Sequence, residues 1–213
     1  MTDCRKPQTG AQDFDIATRE AQVIGDGPRY APLRVDEMTE ESHLALHEIR
    51  TAFGIPDDNP IPLVSLITLR NPAMFRAQMA MGIELAARGT IPHKERELAV
   101  LRLAWVSRSP FEWAEHCKIG RRFGITDEEI ERVTQGSSAP GWTDHEAALL
   151  RGVEELLADQ CLSDATWDAL ARTWDEKQML EFPMLVGAYL ATAFQQNSIR
   201  VPMEHGKTGL RDR

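Results

Sequence analysis

Residues 92–124 read "PHKERELAVLRLAWVSRSPFEWAEHCKIGRRFG", and this stretch decides the fold. Apolar residues recur at helical spacing on both sides of a short break, which predicts two helices, about 93–107 and 111–123, the second closed by Gly124. The stretch is therefore a helical hairpin, and it carries Glu97, Glu112, His116 and Cys117 among apolar neighbours.

Working outward, the same helix signals repeat. "TEESHLALHEIRTAFG" offers Thr39 as N-cap, acidic residues in the first turn, Leu46, Ile49 and Phe53 at helical spacing, and Gly54 as a stop. "NPAMFRAQMAMGIELAARG" places Asn71 as cap, Pro72 at the first helical position and Gly89 past the end. Capping-box spacings at Thr126/Glu129, Thr143/Glu146 and Asp175/Gln178 start three more helices, and another begins at Ser163. No alternating strand pattern occurs, so the expectation is an all-α bundle of about eight helices.

Residues 1–35 are polar and broken by "GDGPRYAP", which reads as a flexible arm. A single domain over 36–205 and a tail over 206–213 complete the division. The cluster "QGSSAPGW" at 135–142 reads as a surface connection between two halves of the bundle.

Composition narrows the function. With 42% hydrophobic and 27% charged residues over 213 positions, the chain has the balance of a globular protein and is long enough to bury a sizeable core. No apolar run approaches the roughly 20 residues that span a bilayer. A net charge of −9 gives no diffuse attraction to phosphate backbones, so no nucleic-acid and no membrane partner is expected. The opening residues lack the apolar core of a secretory signal, and the default address is the cytoplasm. Cys4, Cys117 and Cys161 are odd in number and widely spaced, which suits reduced thiols.

In the hairpin, Glu112 and His116 lie four apart on one helix face, with Ser109 seven residues before His116 on the same side. Glu97 sits near the start of the preceding helix, and antiparallel packing would let it meet His116. Two readings stand open at this point. One is a general acid/base pair, since an imidazole beside carboxylates is poised for proton transfer near neutral pH. The other is an exposed i,i+4 pair beside a solvated Glu97.

"RELAVLRLAW…SPFEWAEHCKIGRRFGITDEEI", with "NPIPLVSLITLRNPAMF" before it and "MLVGAYLATAFQQNSIRVPME" after, resembles the carboxymuconolactone decarboxylase family, which includes the alkyl hydroperoxidase D-type proteins. The similarity runs over about residues 35–205 and implies that family's multi-helix bundle and a homo-oligomer, a trimer or hexamer. The peroxidase branch of the family carries Glu, eleven residues, Cys, two, Cys, three, His. Here Glu97 and His116 match its ends, while Ser109 and Glu112 occupy both cysteine positions. Cys117 is one residue out of register, about 100° around the helix, so disulfide-based peroxidase chemistry is not expected.

The decarboxylase branch implies a cofactor-independent lyase acting on a small carboxylate- or lactone-bearing metabolite, in a setting of aromatic-compound catabolism. Glu97 and His116 become the proton-transfer candidates and Glu112 the residue orienting the imidazole. A thiol-dependent peroxidase and a non-catalytic helical binding protein are the alternatives.

Arg102, Trp113, Ser109 and Cys117 are the substrate-binding candidates. Arg102 could hold a carboxylate by a bidentate contact, although it lies about 140° around the helix from Glu97. Trp105, Trp113 and Phe123 read chiefly as packing residues, and Cys117, flanked by His116 and Lys118, as a buried or reactive thiol. "HLALH" and "HKERE" pair His43 with His47 and His93 with Glu97, but neither is HExxH and no third ligand stands at diagnostic spacing, so no metal is expected.

Overall fold

The computed structural model describes residues 14–204, 206 and 208–213. Among these residues the structure is all-helical: α1 Ile16–Ile24, α2 Glu40–Phe53, α3 Leu63–Thr68, α4 Pro72–Gly82, α5 His93–Val106, α6 Pro110–Arg122, α7 Asp127–Gln135, α8 Asp144–Asp159, α9 Asp164–Ala171 and α10 Glu176–Ile199. A π-helical turn, Ile83–Ala87, prolongs α4, and a 3₁₀ turn, Gly209–Arg211, lies near the C-terminus.

The eight helices expected from sequence all form, and their cap residues act as such. Asn71, Thr126, Thr143, Ser163 and Asp175 each accept backbone N–H groups of the first turn, and the boxes at Thr126, Thr143 and Asp175 are closed by Glu129, Glu146 and Gln178.

Two helices lie outside that expectation. α3 is too short for periodicity to reveal. α1 falls in the segment read as an arm: residues 1–13 lie outside the described ones, but Asp15 caps residues 16–24, and Gly25 ends them at φ 53. This helix is packed. Arg19 donates to the Arg108 carbonyl at 3.0 Å and Glu20 accepts from the Leu210 amide at 2.9 Å. The residues read as a tail are likewise engaged, with Leu210 fully buried.

α5 is the central element. All nine residues from Arg96 to Ala104 are buried, because α6, α7, α8 and α10 surround it. Leu98, Leu101, Leu103, Trp113, Leu149, Leu150 and Phe182 form the main core with no more than 1% of their surface exposed. Each such side chain contributes on the order of 1.5–3 kcal/mol by leaving water. A smaller core of Met38, Ala45, Leu46, Leu69 and Phe75 joins α2 to α4. Among the described residues no helix is long and apolar enough to cross a membrane.

Candidate functional site

α5 and α6 run antiparallel across the short 107–109 connection, so Glu97, early in α5, faces His116 in the second half of α6. The His116 Nδ1 lies 2.6 Å from Glu97 Oε2. On the other edge of the ring, Nε2 lies 3.4 Å from Glu112 Oε2, a contact outside hydrogen-bond geometry that leaves Glu112 Oε2 with no hydrogen-bond partner among the described residues. The three side chains are buried: Glu97 is 1% exposed, Glu112 4% and His116 7%. The reading of an exposed pair beside a solvated Glu97 is thereby overturned, because surrounding helices cover both faces of the hairpin.

Arg96 completes the arrangement. Its Nε and one terminal nitrogen donate to Glu97 Oε1 at 3.0 and 2.9 Å. The other terminal nitrogen donates to the Ala86 carbonyl at 2.7 Å and to His93 Nδ1 at 2.9 Å. A guanidinium has no acceptor, so His93 Nδ1 is unprotonated there. Arg96 thus ties Glu97 to the π turn after α4.

Electrostatics follow from burial and pairing. Burial opposes charge on His116, but Glu97 and Glu112 outweigh it, and the imidazole is held up at about 10. Burial would raise the Glu97 carboxyl, yet His116 and Arg96 hold it below its ordinary range. At neutral pH the ring is an imidazolium with both nitrogens protonated, set between two carboxylates. The Tyr189 ring stands edge-on to it, centroids 5.2 Å apart at 82°. Burial and the same two carboxylates push the Tyr189 phenol up, which keeps it neutral.

The remaining sequence candidates are engaged elsewhere. Arg102 is 3% exposed and donates to Glu154 Oε1 at 2.8 Å and to the Val133 and Thr134 carbonyls at 2.9 and 3.2 Å. Its guanidinium is spent on holding α7 and α8 to α5, which corrects the expectation that it meets a substrate carboxylate. Ser109 is buried, 3.2 Å from Asn197 Oδ1. Trp113 donates from Nε1 to the Asp212 carbonyl at 2.8 Å and packs at a tilt against Trp105, ring centroids 5.0 Å apart. The Cys117 thiol points to that same carbonyl at 3.7 Å, and burial pushes it up to about 12, so it is not a reactive thiolate.

Beside the cluster, α2, α4 with its π turn, and α10 line an open cleft of about 630 Å³, with Phe53, Met74, Met81 and Met184 of its wall exposed. Tyr189 lines it, and so do Leu85 and Ala86 of the π turn. Tyr189 is therefore the side chain common to the cleft wall and the surroundings of His116. Sequence reasoning missed Arg96 and Tyr189. A tyrosine, one of two in the chain, inside the apolar run "VGAYLATAF" was the available signal. Among the described residues no three His, Cys, Asp or Glu side chains gather to hold a metal ion.

Residues 72–155, from α4 into α8, match the carboxymuconolactone decarboxylase family. They include Glu97, Glu112 and His116. No curated protein matches the chain. Several solved structures share its fold. An uncharacterised peroxidase-related protein from Ralstonia eutropha, described as an alkylhydroperoxidase AhpD core, is 17% identical with a TM-score of 0.68, covering 82% of this chain and 91% of its own. A peroxidase-related protein from a Silicibacter species is 13% identical with a TM-score of 0.67, covering 98% of both chains. The debrominase Bmp8, in a substituted form bound to 2,3,4-tribromopyrrole, is 13% identical with a TM-score of 0.66, covering 84% of this chain and 93% of its own. Residues 72–155 are thus similar to the carboxymuconolactone decarboxylase family, and the chain as a whole shares the helical fold of the AhpD-like structures.

Proposed function

We propose that this chain is a cofactor-independent lyase that breaks a carbon–carbon bond in a small acid or lactone by proton transfer from His116. The observation that carries the reading is the buried His116 imidazole held between Glu97 and Glu112. Loss of carbon dioxide from a β-keto or vinylogous acid leaves the bonding electron pair on an enolate, which needs a proton at carbon. An acid held up at about 10 suits so basic an acceptor. Nδ1 is fixed by Glu97 at 2.6 Å, so the proton on Nε2, beside the long contact to Glu112, is the transferable one. Glu97 and Arg96 hold the ring in place, Glu112 orients it, and the proton given to the substrate carbon is replaced from water after the product leaves. The active form is read as a homo-oligomer, a trimer or hexamer; Leu180, Met184 and Phe194 of α10 stand 71%, 52% and 61% exposed.

The test is a panel of β-keto acids and unsaturated lactone acids assayed for carbon dioxide release and for solvent deuterium at the protonated carbon. His116→Asn should lower turnover by about two to four powers of ten. Turnover of an accepted substrate by that variant at the wild-type rate defeats the assignment. The neighbours described as peroxidase-related raise a thiol-dependent peroxidase as the alternative. The protonated, buried Cys117 and the occupation of the two motif positions by Ser109 and Glu112 count against it. Peroxide consumption driven by a dithiol would decide for it.

A further inference from the structure

An enolate has two ends to be served. Its carbon takes a proton, and its oxygen, where the charge develops, needs hydrogen-bond donors already in place. Around His116 most donors are engaged. All three Arg96 nitrogens serve Glu97, the Ala86 carbonyl and His93. Arg102 holds Glu154 and the Val133 and Thr134 carbonyls. The Trp113 indole donates to the Asp212 carbonyl, the Ser109 hydroxyl to Asn197, and the His116 Nδ1 faces Glu97.

Tyr189 differs from all of these. Among the described residues its hydroxyl makes no hydrogen bond, although the ring packs edge-on to His116 with centroids 5.2 Å apart. The residue is partly exposed and lines the cleft between α2, α4 and α10. That cleft is open, so a solute can reach Tyr189 through it. Burial, and then the Glu97 and Glu112 carboxylates, push the phenol up, so it keeps its proton and stays a donor.

Two amides on the same helix compete for the role. Gln195 lines the cleft, and Gln196 Oε1 is buried without a partner among the described residues. His116 meets Tyr189 while Ser109 meets Asn197, so α6 and α10 run antiparallel. Gln195 and Gln196 therefore stand level with the start of α6, roughly 9–10 Å along the axis from Tyr189 at about 1.5 Å per residue. They lie about two turns from His116, too far to serve the same small molecule at the same centre.

We infer that Tyr189 is a catalytic residue of the proposed reaction, its hydroxyl donating a hydrogen bond to the enolate oxygen while His116 protonates the enolate carbon. The inference rests on the proton-transfer reading and adds the second group that reading requires. The bond to the carboxyl carbon breaks, its electron pair moves onto the neighbouring carbonyl oxygen, and carbon dioxide leaves. Tyr189 stabilises that oxygen without giving up its proton. The carbon then takes the proton of His116 Nε2, and the ketone re-forms. One carbon separates the two reacting atoms of an enolate, so donors on adjacent rings can reach both.

The probes are 4-nitrophenol, whose coloured anion presents a planar oxyanion as an enolate does, and 4-nitroanisole, the same ring with that oxygen methylated. Both are titrated into the full chain and into Tyr189→Phe by absorbance and calorimetry, without turnover. Wild type should bind the phenolate with a shifted absorption band, and Tyr189→Phe should bind it at least tenfold more weakly, the scale of one hydrogen bond to a charged group. Binding of 4-nitroanisole and the melting temperature should be the same in both proteins, because the hydroxyl holds nothing else in place. Should the variant fail to fold, wild type labelled with 3-fluorotyrosine decides: of its two tyrosines, the fluorine signal of Tyr189 should move with the phenolate while that of exposed Tyr30 stays. The inference is overturned if the phenolate does not bind wild type, if Tyr189→Phe binds it unchanged, if the Tyr189 signal stays still, or if both probes weaken together with a lowered melting temperature. Turnover in His116→Asn tests the acid/base reading without any phenolate, so the two failures are told apart.

Discussion

Replacing Glu97 by Gln removes one charge from the centre of the molecule without opening a cavity. His116 and Arg96 both lose the carboxylate they share, at 2.6 Å from the imidazole and 2.9 Å from the guanidinium. Leaving buried charge without its partner costs about 3–5 kcal/mol. The elevation of His116 from 6.5 to about 10 sets a scale on the order of 5 kcal/mol at about 1.36 kcal/mol per pH unit, of which Glu112 supplies a part. The expected loss in Glu97→Gln is therefore about 3–5 kcal/mol, a large share of the roughly 5–15 kcal/mol that holds a typical domain folded.

The pH dependence has a definite sign. The folded value of His116 lies above its unfolded 6.5, so its stabilisation is complete below pH 6.5 and is lost as the pH climbs through about 10. The folded value of Glu97 lies below its unfolded 4.5, so its contribution is complete above pH 4.5 and is lost as the pH falls through that lowered value. The difference between wild type and Glu97→Gln, measured by urea denaturation, should be largest and flat between pH 4.5 and 6.5 and shrink on either side. In the variant, burial of His116 is opposed by Glu112 alone, and its titration, followed by side-chain nitrogen shifts in NMR, should move down from about 10. A difference under about 1 kcal/mol at pH 6, or a wild-type His116 titrating near 6.5, would refute the reasoning.

Cys117→Ser should retain nearly full activity, because a protonated thiol against the Asp212 carbonyl takes no part in proton transfer; complete loss in a turnover assay would bring the sulfur into the mechanism. Arg102→Met should cost about 3–5 kcal/mol in denaturant melts by stranding buried Glu154, while KM for any accepted substrate stays put; a KM rise with stability unchanged would restore Arg102 as a substrate ligand. Glu112→Gln should lower turnover by less than His116→Asn while preserving the circular dichroism spectrum, and equal turnover in wild type and Glu112→Gln would remove Glu112 from the site. Light scattering should give a particle larger than the 24.0 kDa monomer, and a monomer at working concentration would count against the oligomer.

The sequence by itself determined the helices whose signals are local. A cap at Thr126 with Glu129 three residues on, or Pro72 following Asn71, acts within one turn and needs nothing distant. It also determined that Glu112 and His116 share a face, since four residues make about one turn. Only the tertiary structure decided whether that face meets water or protein. Glu97 reaches His116 because α5 and α6 pack antiparallel and α8 and α10 close over α5, and that enclosure turns an ordinary i,i+4 pair into an imidazolium held at about 10. The partner of Arg102 is invisible along the chain because Glu154 lies 52 residues away. Tyr189 carries no local signal beyond its place in an apolar run of α10, because its neighbour His116 belongs to another helix. The cleft has no signature along the chain at all: its walls come from α2, α4 and α10, and the space between them exists only once those helices are packed.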